Sequence, residues 1–212
     1  MDILQFEKQY LRLPSAIDEI HDELFDQKGI RVFVKRDDLI HPIISGNKWR
    51  KLREYIQIAQ FNEHKHLISF GGAYSNHLYA LAFAAKELGF AATGIIRGDE
   101  LTSRSNLYLS QMEAWGMDLQ FVSRSSYQKK EIPQEINTSN AIIIAEGGYG
   151  KMAIKGVSYI TKEINQGNFE HIICPIGTGT TYLGLCESTN TIEVHGILTL
   201  NNLKEIESNA LE

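Results

Sequence analysis

The chain has 212 residues, 43% of them hydrophobic and 22% charged, with a formal charge of −5 at pH 7. That balance excludes a disordered or low-complexity chain and the basic surface that broad nucleic-acid binding needs. No run approaches the roughly 18 apolar residues of a membrane span, and Met1–Glu7 lacks the charged-then-apolar layout of an export signal. The expectation is a cytoplasmic protein with no membrane or nucleic-acid partner, large enough for one big domain or two small ones.

Charge is unevenly distributed. Between Arg31 and Arg53 seven Lys or Arg stand against Asp37 and Asp38 alone, which is either a solvated face or a receiver for a small anion. Cys174 and Cys186 lie outside any CxxC or finger spacing and read as reduced thiols. The histidines offer no HExxH, so no structural zinc or other metal site is expected from spacing.

Along the chain, Arg31–Arg36 is short, β-branched and aromatic and reads as a strand. Ser45-Gly46-Asn47 then supplies turn and cap residues before a helix whose apolar face is Trp49, Leu52, Ile56 and Ala59. His66–Phe70 is strand-like and ends in Gly71-Gly72; a small-residue helix follows from Ser75 to Leu88, closed by Gly89. Ala91–Ile96 is a strand, Arg104–Trp115 a helix closed by Gly116, and Asp118–Val122 and Ala141–Ala145 are further strands. Gln120–Asn140 looks like a surface excursion. Lys151–Asn165 reads as a helix, His171–Ile176 as a strand entering Gly177-Thr178-Gly179-Thr180-Thr181, and Ile192–Leu198 as the last strand before a polar tail with Leu203 and Ile206 as a weak apolar pair. Strands with apolar cores alternating with helices define an open α/β fold with mostly parallel sheet.

Ligands of such sheets sit where strand ends meet helix starts, which singles out three loops. Gly177–Thr181 joins a buried strand to a helix start, so its N–H groups and three hydroxyls would suit a phosphate or simply make a tight turn. It is neither a Walker A loop nor GxGxxG. Lys48, in the first turn of its helix, meets the positive dipole end, which favours the neutral amine of a Schiff-base lysine; the alternative is a solvated surface lysine. Ser75-Asn76-His77 opens a helix, either as an ordinary N-cap or as hydroxyl and amide donors to a ligand, with His77 read as a satisfied, partly buried histidine in preference to a proton shuttle. No GxSxG surrounds Ser75.

Together the loops resemble a known family. Lys35-Arg36-Asp37-Asp38, Gly46-Asn47-Lys48-Trp49-Arg50-Lys51-Leu52, Gly72-Ala73-Tyr74-Ser75-Asn76-His77 and Gly177–Thr181 are similar to the KRDD, GNKxRKL, G-x-x-SN-[HQ] and phosphate-loop segments of pyridoxal-phosphate enzymes of the tryptophan-synthase β-type fold. They are most similar to the group containing 1-aminocyclopropane-1-carboxylate deaminase and D-cysteine desulfhydrase. The resemblance implies fold type II, with two open, mostly parallel sheets flanked by helices. Residues 1–62 and 150–212 would form a discontinuous large domain, incomplete at its C-terminal side, and 63–149 the small domain.

It also implies site roles. Lys48 would hold pyridoxal 5′-phosphate as a Schiff base and shuttle the substrate proton, and Asn76 would bond the pyridine 3′-oxygen. Ser75 would contact the substrate carboxylate or act as nucleophile. Gly177, Thr178, Gly179, Thr180 and Thr181 would grip the phosphate with Lys51 nearby. His77, in place of glutamine, tilts the substrate toward a D-cysteine-like amino acid, and Tyr149 replaces the family's Ser or Thr and would alter the substrate pocket. The expected reaction is a lyase or deaminase step on a small amino acid in a homo-oligomer. Typical members continue past Leu198 with the partner of the pyridine nitrogen, so the alternative is an impaired relative that binds cofactor or works through a partner chain. A nucleotide-binding domain is disfavoured, because neither glycine-rich fingerprint fits.

Overall fold

A computed structural model describes residues 1–164 and 168–199 of the chain. The elements in order are α1 (Ile3–Tyr10), β1 (Ile17–Ile20), α2 (Glu23–Lys28), β2 (Val32–Lys35), α3 (Lys48–Phe61), β3 (His66–Gly71), α4 (Asn76–Leu88), β4 (Ala91–Arg97), α5 (Leu107–Ala114), β5 (Met117–Val122), α6 (Arg124–Gln128), β6 (Ala141–Ile144), α7 (Lys151–Val157), α8 (Tyr159–Glu163), β7 (His171–Ile176), α9 (Thr180–Ser188) and β8 (Glu193–Leu198). Short 3-10 turns occupy Asp37–Leu39 and Glu146–Gly148. The pair Leu203 and Ile206 and the expected helix end at Asn165 lie outside the described residues.

Four strands form one parallel sheet in the order β5-β4-β3-β6, with β3 in register against both β4 and β6. A parallel sheet is covered on both faces, so its inner strands read as continuous apolar runs rather than alternating ones. Leu67, Ile68 and Phe70 of β3 and Ile95 and Ile96 of β4 are accordingly all buried. A second parallel pair, β7-β8, carries the Gly177–Thr181 loop, and β1-β2 is an antiparallel pair near the N-terminus. Cys174 and Cys186 are free thiols.

Several boundaries differ from the sequence reading for local reasons. The helix expected from Arg104 begins only at Leu107, because the Asn106 side chain accepts from the Leu109 N–H at 2.9 Å and donates to the Ala73 carbonyl at 3.1 Å. The helix expected from Lys151 breaks at Ser158 into α7 and α8. Strand β1 and helices α1, α2 and α6 lie in segments to which the sequence reading assigns no element.

What positions the site is a buried ion cluster beneath α3. Arg50 is 2% exposed. Its guanidinium donates to both carboxylate oxygens of Asp37, at 2.9 and 3.1 Å, and to Glu163, at 2.9 Å through Nη2 and again through Nη1. Lys35 Nζ reaches Glu163 at 2.7 Å and the Ser15 carbonyl at 2.6 Å, and Ser15 Oγ donates to Asp37 at 2.6 Å. One cluster therefore ties the end of β2, the Asp37–Leu39 turn, α3 and α8 together. A buried cation survives only when its donors are satisfied in this way.

The helices α3 and α7 cross closely enough that the site of contact must be glycine. A Cβ built on Gly156 would stand 1.9 Å from the Arg50 carbonyl oxygen. Helix propensity alone favours Gly→Ala by about 1 kcal/mol. Here the steric cost decides the sign: we expect Gly156→Ala to lose about 1–3 kcal/mol, the range for overpacked sites, read as a lower midpoint in urea unfolding. An unchanged or raised midpoint would contradict this packing.

Candidate active site

The seven basic residues between Arg31 and Arg53 divide into two groups. Arg31 pairs with Glu19, Lys35 with Glu163, Arg36 with Asp18 and Asp38, Arg50 with Asp37 and Glu163, and Arg53 with Glu7 and Glu54. Lys48 and Lys51 form no ion pair among the described residues. These two line a cavity of about 230 Å³, closed by Gly147, Gly177, Thr178 and Thr181.

Lys48 begins α3, as the cap residues imply, but Asn47 makes no side-chain cap. Its amide is spent across the cavity instead. Asn47 Oδ1 accepts from Lys48 Nζ at 2.8 Å, and Asn47 Nδ2 donates to Thr181 Oγ1 at 2.8 Å. Lys51, one turn on, donates to the Gly147 carbonyl at 3.2 Å and to Thr178 Oγ1 at 3.4 Å. Thr178 and Thr180 hydroxyls lie 3.1 Å apart, with Thr180 fully buried at the start of α9. So both lysines face the loop that β7 delivers, and no carboxylate among the described residues neutralises them.

Burial acts on both amines. It lowers the pKa of Lys48 from the ordinary lysine value. Burial first, and the nearby Lys48 charge second, push Lys51 down to about 8. Two cations held together in a partly dry cavity disfavour their own charge, and an anion entering there would restore it.

The second loop opens α4. Ser75 caps α4, its Oγ accepting from the Leu78 N–H at 3.2 Å. Asn76 is exposed at the first position of α4, and neither residue lines the cavity. His77 is not placed to touch a substrate: it is 3% exposed, with Nε2 2.9 Å from Ser69 Oγ. Ser69 donates its own proton to the Ile144 carbonyl at 2.8 Å, so it accepts from His77 Nε2–H. That leaves His77 Nδ1 as a buried acceptor with no partner among the described residues. The ring packs under Gly148, where a Cβ would meet both His77 Cε1 and Lys51 Cβ at 3.2 Å. His77 thus shapes the floor behind Lys51. Gly147 contributes a cavity wall, whereas Tyr149 does not line the cavity and uses its carbonyl to accept from Tyr55 Oη at 2.8 Å.

A cavity with two lysines that form no ion pair among the described residues, both with pKa values lowered by burial, and a hydroxyl-rich strand-to-helix loop fits an anionic, aldehyde-bearing cofactor. Comparison with known proteins agrees. The family model described as pyridoxal-phosphate dependent enzyme matches residues 21–198. The chain is a member of that family. A putative 1-aminocyclopropane-1-carboxylate deaminase of Thermotoga maritima is 29% identical over 183 residues, covering 81% of this chain and 58% of that protein. A Pyrococcus furiosus protein of the same description is 31% identical over 170 residues, covering 74% and 51% respectively. The chain thus spans little more than half the length of these curated relatives.

Among solved structures, a 1-aminocyclopropane-1-carboxylate deaminase homologue superposes with a TM-score of 0.74 at 22% identity, over 100% of this chain and 71% of that one. Serine racemase from Dictyostelium discoideum gives 0.72 at 17%, over 92% and 63%. These likenesses establish the type II pyridoxal-phosphate fold. No described helix is long and apolar enough to cross a membrane.

The buried imidazole has a pH consequence. Burial, then the charges of Lys51 and Lys48, hold His77 at about 3, below the ordinary 6.5. A base with a depressed folded pKa contributes stability above 6.5 that is lost as pH falls toward 3. We expect His77→Gln to flatten the acid side of the stability profile, removing on the order of 2 kcal/mol of the loss between pH 6.5 and 4. Urea midpoints at these pH values measure it; parallel profiles for the two proteins would contradict the assignment.

Proposed function

We propose that the chain carries the cofactor-binding core of a pyridoxal-phosphate-dependent lyase or deaminase acting on a small amino acid and releasing ammonia and a 2-oxo acid. Of the two reactions considered, β-elimination of the D-cysteine desulfhydrase kind is favoured over ring opening of the 1-aminocyclopropane-1-carboxylate deaminase kind. Support comes from the histidine at position 77, although its burial means that its influence passes through Gly148 and Lys51 rather than through substrate contact. Relatives named for each activity are found, including a bifunctional Arabidopsis thaliana enzyme 25% identical over 183 residues.

The observation that carries the reading is the pair of lysines without carboxylate partners facing the Gly177–Thr181 loop. Lys48 is the residue that would hold the cofactor covalently, by its place in the Gly46–Leu52 segment that resembles the family's lysine motif, and burial lowers its pKa in the sense this role needs. Lys51, Thr178 and Thr181 with the loop amides would hold the phosphate. When bound, the cofactor supplies an electron sink for charge developing beside the substrate nitrogen. Asn47, bridging Lys48 to Thr181, keeps the amine aimed across the cavity. Ser75 and Asn76 would meet the substrate from the α4 start. The reading extends to a homo-oligomer working in the cytoplasm.

The test is visible absorption on adding pyridoxal phosphate, then D-cysteine or 1-aminocyclopropane-1-carboxylate, with pyruvate or 2-oxobutyrate release followed. Wild type should acquire the lysine-bound band, Lys48→Ala should lose it while keeping its circular dichroism, and Lys51→Ala should weaken cofactor affinity at least tenfold. A Lys48→Ala protein that keeps the band would overturn the role of Lys48. A band unaltered by either amino acid would leave cofactor binding without turnover. Light scattering should give more than one chain per particle; a monomer would remove the oligomer reading.

A further inference from the structure

The two strands that carry the phosphate loop bring together three side chains that no sequence spacing connects. In the β7-β8 register His171 stands opposite Glu193, and His195 is two residues along from Glu193 on the same strand. Side chains two apart share a face of the sheet, so all three project from one side. The other side packs inward, with Ile172, Cys174 and Val194 against Leu185. The three polar side chains are solvent-accessible, at 56%, 68% and 44% exposure for His171, Glu193 and His195.

Their donor atoms form a compact triangle. His171 Nδ1 lies 3.0 Å from His195 Nε2, and the same Glu193 Oε2 is 3.5 Å from the first and 3.8 Å from the second. The point equidistant from three corners so spaced is about 2.0 Å from each, the bond length that Zn²⁺ takes to imidazole nitrogen and carboxylate oxygen. Two imidazoles and one carboxylate are a donor set suited to a divalent transition metal, and the borderline-soft nitrogens favour Zn²⁺ over Mg²⁺ or Ca²⁺. Among the described residues this is the one cluster of three such donors.

We propose that His171, Glu193 and His195 form a site for one divalent transition-metal cation, Zn²⁺ by preference, with water completing the coordination. Its role is structural. The cluster sits at the start of β7, and the phosphate loop begins at the other end of that strand, roughly 20 Å away at the rise of an extended chain. A cation there cannot touch the cofactor cavity. It cross-links the first residues of β8 to β7, and β8 has no other strand partner among those described. Because the folded strand pair assembles the site, metal binding stabilises the fold by linkage.

The experiment is titration of the tag-free, chelator-treated chain with Co²⁺, followed by its visible absorption, and with Zn²⁺ by calorimetry and thermal melting, with and without pyridoxal phosphate. The expected result is one Zn²⁺ per chain, a raised melting temperature, and the same stoichiometry in both cofactor states. His171→Asn and His195→Asn, conservative changes at exposed positions, should each weaken binding at least tenfold with unaltered circular dichroism. Glu193→Gln should weaken it less. Cys186→Ser should bind as wild type does. Absence of saturable binding, binding undiminished by both histidine variants, or loss of binding with Cys186→Ser would each overturn the proposal.

Discussion

The structure turns on the burial of Arg50. Its guanidinium is almost wholly withdrawn from water, and removing either carboxylate would leave the cluster of Arg50 and Lys35 with one positive charge unbalanced in a poorly polarisable interior, at a cost of about 3–5 kcal/mol. Asp37 and Glu163 come from segments 126 residues apart in the chain, and their meeting on one guanidinium fixes the Asp37–Leu39 turn and α8 on opposite sides of α3. Bidentate geometry adds direction to the attraction, since the planar fork accepts a carboxylate in one orientation. With α3 held in that way, its first turn presents Lys48 and Lys51 to a single cavity.

The same cluster explains the electrostatics of that cavity. Five of the seven basic residues in the region are neutralised locally by carboxylates. The remaining two have no such partner among the described residues, and burial lowers the pKa of both. Positive charge held without a partner is costly by itself and favourable once an anion arrives. That trade is common in binding sites, where groups are arranged for the ligand rather than for stability. The acceptor on His77 that has no partner among the described residues lies behind the same wall, and its neutrality follows first from its burial and then from the charges of the two lysines.

Glycine at two positions lets these parts approach. Gly156 admits the Arg50 carbonyl at the α3–α7 crossing, and Gly148, with a positive φ of 72°, admits the His77 ring beside Lys51. Neither requirement is visible in composition, because each depends on a neighbour distant in sequence. The buried sheet strands are the opposite case. Parallel strands covered on both faces must be apolar throughout, so β3 and β4 advertise themselves in any window of six residues.

By itself the sequence determined what local chemistry determines. The open α/β class, the strands β2 to β8, the helix starts at Lys48 and after Ser75, the loop Gly177–Thr181 and the family membership were all legible, because apolar periodicity, capping residues and ordered motifs are short-range signals. Helices α1 and α2 carried readable signals too, in the Asp2–Gln5 capping box and the Asp22 cap with Gly29 behind it. Strand β1 carried none: Ile17-Asp18-Glu19-Ile20 becomes a strand only because β2 lies alongside. Only the tertiary structure decided which lysines stay unpaired, that His77 faces Ser69 rather than a substrate, and that His171, Glu193 and His195 share one patch of sheet. Each of those outcomes depends on which distant segment supplies the neighbour. Charge pairing, burial and strand register are long-range properties, and a linear pattern does not contain them.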